Sequence, residues 1–94
     1  MINFKKDDET KPEMAYLPWS ALVEVCKIMD YGARKYGRDN WKTCDDPARY
    51  TSALLRHLAA HQHGEILDPE SGYSHLAHMA CNSLFLLWLN LNKK

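Results

Sequence analysis

Neither sign of charge prevails in this sequence: twelve Lys plus Arg offset twelve Asp plus Glu. A protein holds duplex nucleic acid largely by releasing phosphate counterions, which takes a basic face with a long-range field, and a balanced chain has none to offer. Duplex nucleic acid is therefore not an expected partner. Cysteine is scarce and odd in number, and Cys26, Cys44 and Cys81 show no CxxC spacing. That excludes a disulfide framework and leaves small buried side chains as the expectation. Long apolar runs are missing too. The opening MINFKKDDETKPEM lacks the hydrophobic core of a signal peptide, and the richest apolar stretch, Leu84 to Leu91, is too short to span a bilayer. No membrane partner and a cytoplasmic location are expected.

Strand-period alternation, internal repeats and low-complexity tracts are also lacking, and what remains is helical. Residues 1 to 17 are charged and broken by Pro12, so they bury little surface and read as a flexible arm that orders on a partner. The folded unit is expected over 18–94. Leu22, Val25, Cys26, Met29, Ala33 and Tyr36 recur at three- and four-residue steps, one face of a helix with Pro18 in its first turn and Gly37 as its stop. Asp46-Pro47 reads as an N-cap and a proline at the first position of a second helix, whose stripe is Tyr50, Ala53, Leu54, His57, Leu58 and His61. That helix ends at Gly64 or runs on to Leu67. Asp68 to Gly72 is a turn by composition, and Ser74 caps a third helix from His75 to about Leu91. Past Met79 the third helix is apolar almost all round. A chain of this length cannot cover it alone, so the expected fold is all-α: three main helices in an antiparallel bundle completed by homo-oligomerisation, as a dimer or tetramer.

All five histidines fall between positions 57 and 78, interleaved with Glu65, Asp68 and Glu70. His57, His61 and Glu65 step by four and form one ridge while the helix lasts; His75, His78 and Asn82 form a second at steps of three and four. Facing helices that each carry such a ridge converge donors on one point, as metal sites in helical bundles do. His57, His61, Glu65, His75 and His78 are the expected metal ligands, with Asp68 and Glu70 as the catalytic acids. A mixed imidazole and carboxylate set favours Mn²⁺, Zn²⁺ or Fe over pure Mg²⁺, though Mg²⁺ is not excluded. Singly, each histidine has a blander reading as a hydrogen-bonded core residue. His63 is turned off the ridge and is expected on the surface.

The segment from Tyr31 to Trp41, YGARKYGRDNW, combines cations, an amide and aromatic rings around a helix end. Arg34, Lys35 or Arg38 can neutralise phosphates, Asn40 and Trp41 can read and stack a base, and Arg56 is a further phosphate candidate. The same segment also reads as an aromatic anchor with a solvated charged face.

YGARKYGRDNW together with RYTSALLRHLAAHQHGEILDPESGYSHLAHMACNSLFLL resembles the phage family of dATP/dGTP diphosphohydrolase N-terminal domains, which are MazG-like. The similarity covers about Lys11 to Leu87. It implies an all-α, oligomeric relative of nucleoside triphosphate pyrophosphatases, in the host cytoplasm, that hydrolyses a (deoxy)purine triphosphate to the monophosphate and pyrophosphate with a divalent metal. The usual EExxE and ExxD acids are absent: His57, His61, Glu65 and Asp68 stand in the first region, and His75, His78 and Asn82 in the second. Fewer carboxylates hold Mg²⁺ less well. A non-catalytic nucleotide-binding protein, a sponge for a signalling nucleotide, is the alternative.

Overall fold

Gly37, Gly64 and Gly72 all take left-handed backbone angles, and each marks a place where a helix or turn must end. A computed structural model describes residues 3–94, so the first two residues of the expected arm lie outside the described residues. The fold is all-α, with three helices and no strand among the described residues: α1 (Trp19–Tyr36), α2 (Ala48–Gln62) and α3 (His75–Leu91). Short 3₁₀ turns at Met14–Tyr16 and Asn40–Thr43 precede α1 and α2. No helix is long and apolar enough to cross a membrane.

The helix ends follow local chemistry. Pro18 stands one residue outside α1, at its N-cap, and not within the first turn as the sequence suggested. Gly37 closes α1, its N–H bonded to the Ala33 carbonyl. Pro47 likewise caps α2 from outside, already in helical angles, and Asp46 precedes the cap and gives its carbonyl to Arg49 N–H. At the other end, Gly64 N–H bonds to His61 and Glu65 N–H reaches back to Ala60, the paired bonds of a Schellman stop. The helix therefore ends at Gln62 and does not continue to Leu67. Ser74 caps α3 as expected, its hydroxyl accepting from Leu76 and Ala77 N–H.

Helix α3 is the common neighbour: it packs against both α1 and α2, which make no substantial contact with each other. Both run antiparallel to it, since Tyr31 meets Tyr73 from α1 while His57 meets His75 and Tyr50 meets Phe85 from α2. Two helices sharing one face of a third leave a cleft between them, and the site lies there. The core is small: Val25, Ile28, Ala77 and Cys81, with Met29, Tyr73 and Phe85 packed around it. Ile28 takes the place expected of Cys26 and Tyr36, which are exposed; the buried stripe of α1 is rotated toward α3. Burial pushes the Cys81 thiol up to about 12, which keeps it an inert thiol. Residues 3–17 are exposed throughout. The radius of gyration is 17.0 Å, against roughly 12 Å for a compact chain of this length.

Candidate functional site

The Schellman stop takes Glu65 off the ridge that His57 and His61 begin. From there a tight loop returns the chain: Ile66 and Leu67 pair with His75 and Ser74, and Asp68 N–H bonds to the Tyr73 carbonyl at 2.8 Å. Within it Asp68 makes an Asx turn, its Oδ1 accepting from Glu70 N–H at 2.8 Å, while Gly72 closes the turn on the Asp68 carbonyl. One carboxylate oxygen is thus spent on the loop, and the other faces the helices. Asp68 Oδ2 lies 3.7 Å from His78 Nε2 and 4.0 Å from His57 Nδ1.

Among the described residues, only His57, Asp68 and His78 place donor atoms close enough to share a cation, within 4.8 Å of one another. Two imidazoles and one carboxylate make a set suited to Mn²⁺, Fe²⁺ or Zn²⁺. The two rings stack nearly parallel, 4.3 Å between centroids, so their in-plane lone pairs run side by side and one ring must turn before both address one ion. Burial holds both imidazoles below their ordinary pKa; for His57 the charge of His78 adds to this, and for both the Asp68 carboxylate opposes it. Neutral rings are the form that ligates metal or accepts a proton.

The other expected ligands stand outside this triad. His75 is buried between His57 and Glu65, bonded to each. His61 lies one turn beyond His57, and its buried Nδ1 has no hydrogen-bond partner among the described residues. Glu65 reaches His75 and not the cleft. His63 is exposed, as expected. Asn82 is buried and donates to the His78 carbonyl, fixing the first turns of α3.

The cleft holds about 690 Å³ and runs from this triad to the 3₁₀ turn at Asn40–Thr43. Of the residues the sequence offered for a nucleotide, Lys35, Asn40, Trp41 and Arg56 line it, whereas Arg34 does not. Lys35 is not free: its Nζ sits 2.7 Å from Glu70 Oε1, an exposed pair that Tyr31 Oη joins at 3.4 Å. That bond raises the lysine pKa and lowers the glutamate's. Glu70 is therefore turned to α1 and its cation, not to the histidines. Trp41 has one face stacked on Phe85, 4.3 Å away, and its edge against Trp88, so it anchors the 3₁₀ turn to α3.

Two site residues were missed. Arg49 also lines the cleft and is one heptad before Arg56 on α2, a repeat visible in the sequence. Ser71 lies 2.7 Å from His78 Nε2 and accepts from Tyr73 N–H, a contact that depends on the loop's closure and left no signal in spacing.

The profile of the family described as dATP/dGTP diphosphohydrolase, N-terminal, matches residues 3–94. The chain belongs to that family. A dATP/dGTP diphosphohydrolase of Salmonella phage PMBT28 is 31% identical over 88 residues, which cover 94% of this chain and 30% of that relative. The chain thus spans less than a third of the length of the curated relative it matches. No solved structure matches it. Within the dATP/dGTP diphosphohydrolase N-terminal family, this member's cleft carries imidazoles at His57 and His78 and a single loop carboxylate, Asp68, between them.

Proposed function

We propose that the cleft hydrolyses a (deoxy)purine nucleoside triphosphate to the monophosphate and pyrophosphate, with a divalent metal held by His57, Asp68 and His78. The observation that carries this is the layout of one cleft: a partly buried donor triad, with the cations Lys35 from α1 and Arg49 and Arg56 from α2 lining the same space. Arginine side chains chelate phosphate oxygens in pairs, and lysine adds a point charge. A cation in the triad would polarise a phosphoryl oxygen and lower the pKa of a water. Lys35, Arg49 and Arg56 orient the triphosphate chain, and Asn40 with Trp41 meets the base. Water attacks the α-phosphorus, the bond to the α,β-bridging oxygen breaks, pyrophosphate leaves with the electron pair, and the water's proton passes to solvent in the open cleft. The wider assembly is a homodimer or homotetramer formed through α3.

A second reading, binding without turnover, draws on the single carboxylate in the triad, since two neutral imidazoles add no negative charge to hold Mg²⁺. Incubating the chain with dATP and dGTP in the presence of Mg²⁺, Mn²⁺ or Zn²⁺, followed by chromatography, separates the two. Monophosphate and pyrophosphate in equal amounts support hydrolysis. A nucleotide retained unchanged under every metal defeats it and supports binding alone.

A further inference from the structure

Behind the triad stand two groups that the proposed reaction leaves unused. His75 is 4% exposed, and both of its ring nitrogens are engaged: Nδ1 lies 2.8 Å from His57 Nδ1, and Nε2 lies 2.7 Å from Glu65 Oε1. A nitrogen–nitrogen contact that short holds one proton, because two protons repel each other and so do two lone pairs. An ionised carboxylate accepts and cannot donate, so the proton on His75 belongs to Nε2. A neutral His75 then has a bare Nδ1, which can only accept. The single shared proton must come from His57 Nδ1.

We infer that Glu65 and His75 are positioning residues that fix the tautomer of His57, protonated at Nδ1 and with the Nε2 lone pair free, so that the Nδ1 lying 4.0 Å from Asp68 Oδ2 is a donor and a cation held by His57 must be met by Nε2. The opposite order needs a second proton on His75 and so does not arise when both rings are neutral, the state in which the tautomer is read. Histidines that ligate metals or accept protons are commonly set this way through their other nitrogen. Here the acceptor is a second imidazole backed by a carboxylate that the Schellman stop of α2 swings onto it. The use of that lone pair in hydrolysis rests on the function proposed above; the tautomer itself does not.

Proton–nitrogen correlation spectra of the full chain, labelled on histidine and recorded above neutral pH without metal, read the tautomer directly. His57 should show a protonated Nδ1 and a bare Nε2. Glu65 is half-exposed, and Glu65→Gln offers an amide that accepts or donates, so both tautomers of His57 should then be populated with the helical spectrum unchanged. Zinc ions added as a probe should shift His57 Nε2 and leave its Nδ1 proton in place. A parent chain with the proton on Nε2, an undiminished single tautomer in Glu65→Gln, or zinc displacing the Nδ1 proton overturns the inference. If zinc moves no histidine signal while the Nδ1–H form persists, the relay stands and the metal reading falls.

Discussion

Compare the two halves of α3. At its start His75 and Asn82 are buried and His78 nearly so, and each side chain is hydrogen-bonded. In its later turns Leu84 is 43% exposed, Leu87 53% and Leu91 72%. A polar side chain gains nothing from burial unless its partners are built around it, and an apolar one gains nothing from water. The cleft side of the first half is thus satisfied within one chain, whereas an apolar face from Leu76, 52% exposed, through Leu91 is not covered. The difference sets the donor cluster of the proposed site at one end of the helix and an open apolar face along the other.

The harshest way to break this comparison is to charge the apolar half. Leu84 and Leu87 line an apolar groove of about 530 Å³ between α3 and α1, with Leu22 and Val25 opposite. If a second copy covers it, Leu84→Asp with Leu87→Asp buries unpaired charge at a cost of several kcal/mol, on the order of a thousandfold in the association constant. Sedimentation of the parent should give an oligomer and the variant a monomer with its helical spectrum kept. A parent chain that is monomeric at micromolar concentration would show that no second copy covers this face.

Asp68→Asn tests the polar half. The amide keeps its Oδ1 for Glu70 N–H, so the Asx turn survives, while the charge facing His57 and His78 is lost. Zinc affinity by calorimetry should fall by roughly ten- to a hundredfold, and turnover with it. Unchanged affinity would place the cation, if any, elsewhere.

A gentler probe is acid. His57 and His78 are held below the ordinary imidazole value of 6.5 by burial, so the unfolded chain takes up protons before the folded one as pH falls. Stability is full above that ordinary value, and it declines as pH drops through it toward the lowered folded-state values. Asp68 opposes the decline at both rings. The thermal midpoint should fall between pH 7 and pH 5, and His57→Gln with His78→Gln should flatten the slope. A midpoint that rises on acidification would mean the rings are charged in the fold.

The comparison also separates what could be read from the sequence. The three helices and the glycine and serine stops were legible because periodicity and capping act within a few residues. The ridge on α2 was legible up to His61, and the Asp68 turn by composition. What was not legible needed the loop closed. Glu65 sat on a helical ridge in sequence, yet the stop at Gly64 swings it onto His75. Glu70 looked like a catalytic acid from its neighbours, yet its cation comes from α1, 35 residues away. Ile28 replaced Cys26 in the core because α1 packs only on α3, and no pattern within α1 says where its single neighbour will lie.

The smallest expected effect comes from that Lys35–Glu70 pair, and it decides between two roles for Glu70. The pair is exposed at the mouth of the cleft, where screening by water and salt leaves an ion pair little influence on folding. Its consequence is for the ligand: a lysine already bonded to a carboxylate must exchange that partner for phosphate. Glu70→Gln removes the competitor, so nucleotide affinity should tighten a few-fold at low salt, with the gain fading as salt rises. Lys35→Met should weaken binding by roughly tenfold, the loss of one charge-assisted contact. Neither change should move the thermal midpoint measurably. If Glu70→Gln instead cuts turnover as deeply as Asp68→Asn while affinity stays the same, Glu70 leaves Lys35 during the reaction and acts on the water, and the cleft must close further than the ligand-free arrangement does.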